Sequence, residues 1–472
     1  MQSLNWRRVA VVLSVCLLAG TIAVPAQTFA TLHSFDGSDG EFPFAALIQG
    51  TNGILFGTTN EGAGSSGGTA FQITTGGVLT TLYSFCSQID CADGEHPSTL
   101  IQATDANFYG TTCCGGANGH GTVFRINPVR ELTVLYSFCA QSGCTDGNGP
   151  LTALVQGSDG NLYGTAASGG ELGWGTAFKI TLSGRLTTLH SFAFTEGSGP
   201  STPLIQAADG NFYGTAAGGG AFGNMGTVYM ITPAGSLTTL HSFNGTDGNT
   251  PNRLVRGRDG NFYGTTNSGG ANIHYGTVFK ITSRGTLTTL YSFCSQSNCA
   301  DGEFPRDLNS ATDGAFYGTT VGGGSNGGLG TIFKIDSSAA LTTLYNFCSQ
   351  SGCADGSNPH GALVQGTDGK FYGTTENGGT NRRGTVFSLS AGLKPFVEVE
   401  PASGKTGQRV KILGTNLKGA SSLTFNGTPA TFEVISGSLI STTVPPGATT
   451  GPVQVVTPSG TLTSNVNFRV LP

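Results

Sequence analysis

Eight cysteines stand in four Cys-x4-Cys pairs: Cys86 with Cys91, Cys139 with Cys144, Cys294 with Cys299, and Cys348 with Cys353. Paired thiols can close a disulfide or ligate zinc. This spacing is wide for a zinc knuckle, whereas a disulfide pinching a short loop suits an oxidising compartment. Two more, Cys113 and Cys114, are adjacent in a glycine-rich loop, either as a vicinal disulfide or as thiols. The seven histidines could supply acid–base chemistry, but none stands beside a recognisable nucleophile or base. P-loop, G-x-S-x-G and H-E-x-x-H motifs are missing from the sequence. The sequence therefore names no catalytic residue, no metal ligands and no cofactor.

Most carboxylates read as turn chemistry. Asp105, Asp159, Asp209, Asp259, Asp313 and Asp368 recur in one repeated turn, with Asn52 as the seventh member. Asp39, Asp93, Asp146, Asp247, Asp301 and Asp355 precede glycine in a second loop, where Glu196 is the seventh. The second set could offer Ca²⁺ a carboxylate, but one per loop is few for a calcium site. His33, His190 and His241 share a column with Tyr83, Tyr136, Tyr291 and Tyr345. Histidine occurs where the following loop lacks the four-residue cysteine insertion. Packing is the expected cause, a larger ring covering the longer loop.

A binding function would show in a column that varies while its neighbours do not. Gly67, His120, Trp174, Met225, Tyr275, Leu329 and Arg383 form such a column, each just before a Gly-Thr pair. It predicts a rim facing solvent or a ligand, with Trp174 and Tyr275 able to stack on sugar rings or a partner's apolar surface. His120, Met225 and Arg383 complete the candidate rim. A further asymmetry lies in Gln49, Gln102, Gln156, Gln206 and Gln365, replaced by Arg256 and Ser310 in units five and six. With Arg253, Arg258, Arg306 and Asp307 nearby, Arg256 is expected at a polar site on a channel mouth.

The elements holding these residues repeat. Gly57, Gly110, Gly164, Gly214, Gly264, Gly318 and Gly373 mark seven units at spacings of 50 to 55 residues. Each unit has four short β-branched and aromatic stretches; around Gly264 they are 254–256, 261–266, 276–282 and 287–293. Asp259-Gly260 and Ser283-Arg284-Gly285 supply hairpin turns between them. Four antiparallel strands repeated seven times predict a seven-bladed β-propeller. The chain ends agree: 31–35 is a lone fourth strand and 384–390 a third strand lacking its fourth. The N-terminal strand is expected to complete the last blade, which removes two open sheet edges.

The unit D-G-N-F-Y-G-T-T…G-G…G-T-V-F-K-I…L-T-T-L-Y-S-F resembles the Gloeo/Verruco (GloVer) tandem repeat of secreted bacterial proteins, across all seven units. The resemblance implies bacterial origin and export, and no characterised activity. From Lys394-Pro395 the pattern changes to short alternating strands without cysteine, which suit an immunoglobulin-like sandwich. That stretch resembles the IPT/TIG domain, which implies an accessory or spacer module.

Composition sets the outer limits. Glycine is 76 of 472 residues and only 10% are charged, which excludes a helical bundle, while 29 Phe and 12 Tyr exclude disorder. A net charge of −5 gives no electrostatic footprint for nucleic acid. Arg7 and Arg8, an apolar run from Val9 to Val24 and a small residue at Ala26 read as a signal peptide over 1–26. The expected organisation is a leader at 1–26, a propeller at 27–392 and an IPT/TIG domain at 393–472, with no membrane span after leader removal. The expected protein is secreted or displayed on the cell surface. It is a non-catalytic binding or scaffolding protein for a glycan or a surface protein. An extracellular polysaccharide hydrolase or lyase, and a purely structural envelope component, are the alternatives.

Overall fold

The Phe-Tyr-Gly-Thr and Gly-Thr-Val-Phe-Lys-Ile tracts are strands in the computed structural model, which describes residues 27–64 and 66–471. The expected leader, 1–26, lies outside the described residues. Unit five is typical: its strands Val255–Arg256, Phe262–Ser268, Thr277–Ile281 and Leu287–Ser292 pair antiparallel in that order. Among the described residues, seven such sheets of four or five strands lie between 28 and 390. Among the described residues, helix is confined to four single 3-10 turns, each closing at the second cysteine of a Cys-x4-Cys pair. None of the described helices is long and apolar enough to cross a membrane.

The second strand of each unit begins with five consecutive buried residues, as in Phe262–Thr266. Burial on both faces means that a neighbouring sheet covers each side. Tyr213 meets Phe262 of the next unit at 4.3 Å between ring centroids, and Tyr263 meets Phe316 at 4.2 Å. Gly264 sits in this strand because nothing larger fits. A Cβ there would lie 2.7 Å from the Phe279 ring and 3.3 Å from Leu254.

The N-terminal strand Thr28–Ser34 pairs antiparallel with Thr385–Ser390, at the outer edge of the sheet that also holds Phe371–Thr375 and Val364–Gln365. Phe29 stacks on Tyr345 of unit six at 3.9 Å. Units seven and one touch directly as well. Phe35, Leu47, Leu55, Phe71, Tyr372 and Val386 share one buried cluster, and Thr374 Oγ1 donates to the Ala45 carbonyl at 3.2 Å.

Residues 398–471 form two further four-stranded sheets and one two-stranded pair. Their inward residues, among them Val399, Ile412, Phe425, Ile440, Val455 and Phe468, make a core separate from the repeats. These strands rest on the Asp-Gly turn end of the repeat sheets. Arg469 Nη1 donates to the Ala208 carbonyl at 3.1 Å, and Thr367 and Thr415 hydroxyls meet at 2.8 Å. Arg258 Nη2 donates to the Thr312 carbonyl at 2.7 Å and to the Asn465 carbonyl at 3.4 Å.

Candidate binding site

The turn carboxylates fasten the hairpin or loop in which each stands. In six units the Asp of the first hairpin turn accepts a backbone N–H on Oδ1 and a Tyr hydroxyl on Oδ2. Asp259 thus takes Asn261 N at 3.1 Å and Tyr263 Oη at 2.9 Å. The unit with Asn52 has Phe56 in place of the tyrosine, and Asn52 keeps only the backbone bond, from Ile54. In the second set, Tyr291 donates to Asp301 at 2.8 Å, and Ser295 and Gln296 add backbone N–H bonds. Burial, with the Asp301 carboxylate beside it, pushes the Tyr291 hydroxyl up to about 12.

Packing does not explain the His/Tyr column; hydrogen bonding does. Both side chains donate to the carboxylate of the loop that follows. Nε2 of His33, His190 and His241 lies 2.6, 2.9 and 2.8 Å from Asp39, Glu196 and Asp247 respectively. The four-residue insertion places the carboxylate ten positions on from Tyr, against six from His. The loop carboxylates are engaged by these donors.

All four Cys-x4-Cys pairs are disulfides, as their spacing led us to expect. Cys86 is bonded to Cys91, Cys139 to Cys144, Cys294 to Cys299, and Cys348 to Cys353, each with Cα atoms 4.0 Å apart. Cys91, Cys144, Cys299 and Cys353 each end the 3-10 turn of their loop. Two clusters of possible metal ligands, His120 with Cys139 and Cys144, and Glu95 with Cys86 and Cys91, are built on these bonded sulfurs, which are no longer thiolates. Cys113 and Cys114 are free thiols with sulfurs 2.7 Å apart. Burial pushes the Cys113 thiol far up from its ordinary value.

The rim column is spread over seven units, and each member meets the loop of the next. The backbone carbonyls of Gly67, His120, Trp174, Met225, Tyr275, Leu329 and Arg383 each accept one N–H from that loop at 2.8–3.1 Å. His120 Nδ1 contacts Asn148 Oδ1 at 3.1 Å, Trp174 packs edge-on to Phe194, and Tyr275 lies beside Phe304. Arg383 pairs with Glu41, and Met225 packs on the buried cluster around Phe243 and Leu254. Trp174 remains 44% exposed. The rim residues are therefore not brought together at one point.

The glutamine column staples units to one another. Gln102, Gln156 and Gln206 accept the backbone N–H of Thr51, Thr104 and Ser158 in the preceding unit. Gln365 does so for Thr312, and Gln49 of unit one does so for Thr367 of unit seven. Arg256 and Ser310 interrupt this set. Arg256 is exposed and belongs to the same end as the glutamines, away from Arg253, Arg306 and Asp307. The sequence grouped these four with Arg258 at one mouth; the structure puts Arg256 and Arg258 at one end and Arg253, Arg306 and Asp307 at the other.

At the opposite end, each unit has a tract running from a loop proline to a buried leucine, such as Leu47, Leu254 or Leu308, before the first strand or, in unit six, within it. These leucines anchor the tracts, and the residues before them converge. Phe44, Ser98, Leu151, Ser201, Arg253, Asp307 and His360, one from each unit, line a cavity of about 270 Å³. It continues into a second space lined by Arg306 and Asn252 as well as Phe44, Arg253, Asp307 and His360. Phe44 and Leu151 are 40% and 50% exposed. Phe44 stands edge-on to His360 with ring centroids 5.0 Å apart.

The charges here are arranged in pairs with one left over. Arg253 Nε lies 3.5 Å from Asp307 Oδ2, and Arg253 Nη2 donates to the Leu308 carbonyl at 3.3 Å. His360 Nε2 meets Glu376 Oε2 at 2.9 Å. That hydrogen bond, more than any other neighbour, holds the Glu376 carboxyl below its usual range. The Arg306 guanidinium has no hydrogen bond or ion pair among the described residues, and its Nε is buried without an acceptor. Phe44, Leu151, His360 and Glu376 were missed from sequence. Aligning the proline-to-leucine tracts, where Arg253, Arg306, Asp307 and His360 stand among small residues, was the signal that could have found them.

Comparison with known proteins agrees with this architecture. Three-dimensional similarity extends to a fungal alcohol oxidase solved with copper, at 12% identity and a TM-score of 0.53, covering 94% of this chain and 99% of that one. Two extracellular domains from B. thetaiotaomicron, of proteins described as a one-component and a hybrid two-component system, match at 12% identity with TM-scores of 0.50 and 0.51. Those alignments cover 95% and 94% of this chain and 58% of each of those. At such identity the likeness is one of fold. No curated protein matches the sequence. The IPT/TIG domain matches residues 396–470. The Gloeobacter/Verrucomicrobia repeat matches residues 86–256 and 204–428, well over half of the chain, and the protein belongs to that family.

Proposed function

We propose that the protein is a secreted or cell-surface, non-catalytic binding protein that takes a carbohydrate in the cavity lined by all seven units. In this reading the seven sheets are the blades of a closed propeller spanning 27–392. The N-terminal strand completes the last blade, the leader 1–26 is removed on export, and 393–472 is an IPT/TIG spacer that covers the far end. The observation that carries the reading is the convergence of seven first-strand tracts on one cavity. There exposed Phe44 and Leu151 stand beside Arg253, Asp307 and His360. An apolar face next to fixed polar groups is the chemistry that holds a sugar ring. The disulfides support export, and fold relatives that are extracellular domains of signalling proteins support a binding or sensing role.

The hydrolase alternative fits the cavity less well. A glycosidase needs one carboxyl raised so that it can donate a proton, whereas Glu376 is lowered and Asp307 is engaged by Arg253. Trp174 favours a second reading, a protein partner seated on the outer rim with His120, Met225, Tyr275 and Arg383, on the same end of the sheets as the cavity. A glycan array probed with the chain from Gln27 onward tests both. Binding is expected, lost in Phe44→Ala and kept in Trp174→Ala, with no new reducing ends released. Binding that survives Phe44→Ala and His360→Ala would remove the cavity from the account.

A further inference from the structure

We infer that the cavity's ligand carries a carboxylate and that Arg306 is the residue that receives it, which makes the ligand a uronic-acid sugar. The inference rests on the binding role proposed above and adds the charge of the ligand.

Arg306 occupies a position where the other units carry Ala45, Ser98, Thr152, Thr202, Asn252 and Gly361, so it is the only charged member of its column. It lines the adjoining space, which shares Phe44, Arg253, Asp307 and His360 with the cavity. Burial lowers its basicity, and the nearby Asp307 and Glu376 charges act on it only through space. Those two carboxylates are engaged elsewhere, Asp307 by Arg253 and Glu376 by His360. The Arg306 Nε is buried with no acceptor, and a polar group left so is costly. An incoming carboxylate would satisfy it with two parallel N–H···O bonds, the geometry for which arginine is suited. Phe44 in the same space offers a ring face for the sugar carbons. A simple organic acid would gain the first contact and not the second.

The experiment is calorimetric titration of the chain from Gln27 onward with oligogalacturonate, with the matching neutral oligogalactose, and with acetate. Oligogalacturonate is expected to bind at least tenfold more tightly than either of the others, and more weakly as salt is raised. Arg306→Gln should weaken it by about 30-fold or more and weaken the neutral sugar far less. Arg306→Lys should recover only part of the loss. Unchanged far-UV circular dichroism and unfolding midpoint would establish that Arg306→Gln is folded. Equal affinity for the neutral and acidic oligomers, or indifference to Arg306→Gln, overturns the carboxylate inference and leaves the cavity reading standing. Acetate binding as tightly as the oligomer overturns the sugar part. If no sugar binds and Phe44→Ala changes nothing, the binding role itself fails first.

Discussion

Phe35 is the sharpest probe of whether the chain's two ends are bound into one fold. It follows the N-terminal strand, is 0% exposed, and packs on Phe71 of unit one at 5.4 Å. Phe293 holds the same place in mid-chain: 0% exposed, 5.1 Å from Phe333 of the next unit. Truncating a buried phenylalanine costs about 3–5 kcal/mol through lost transfer energy and a residual cavity. If the N-terminal strand is a structural member equal to any other, Phe35→Ala and Phe293→Ala should agree within about 1 kcal/mol. Guanidinium unfolding followed by Trp174 fluorescence, in unit three and distant from both sites, reads the effect. With a slope of about 5 kcal/mol/M, each midpoint should fall by about 0.6–1 M. A terminal strand that frays would behave like a surface site, costing about 0.5 kcal/mol or less. A large loss for Phe293→Ala with almost none for Phe35→Ala would refute the argument for closure.

Further outcomes follow from the loops. Removing one disulfide, as in Cys294→Ala with Cys299→Ala, should lower stability by about 2 kcal/mol from loop entropy alone, measured as a midpoint shift; no shift would mean that the hydrogen bonds to Asp301 hold the loop unaided. Without reductant, alkylation of the unfolded chain should label Cys113 and Cys114 and none of the eight paired cysteines, checked by peptide mass. Burial alone would raise the Asp247 carboxyl, but the His241 hydrogen bond and backbone donors outweigh it and hold it below the usual range. Its folded value lies under its unfolded one, so its contribution is present above about pH 4 and lost as pH falls through the folded value. Asp247→Asn should therefore flatten the acid side of a melting-temperature profile between about pH 5 and pH 2, and an unaltered profile would contradict it.

Local patterning made the strands, the hairpin turns and the IPT/TIG stretch readable from sequence. Alternation of apolar residues and turn pairs such as Asp259-Gly260 act over a few residues, and sevenfold repetition averages out local noise. The link between each Cys-x4-Cys pair and a loop insertion was readable for the same reason, as was the exchange of His for Tyr. The cause of that exchange was not: it lies in where a carboxylate ten or six residues away comes to rest, which only the folded loop decides. The glutamine column looked like a surface feature and proved to be a set of staples, because its partners belong to the neighbouring sheet. Arg253 and Arg256 are three residues apart, yet they belong to opposite ends of the sheets. Phe44, Arg306 and His360 come from distant parts of the chain and share a cavity only because seven leucine-anchored tracts converge. The repeat dictates each sheet by short-range preference, whereas the cavity depends on contacts among side chains that no local rule relates.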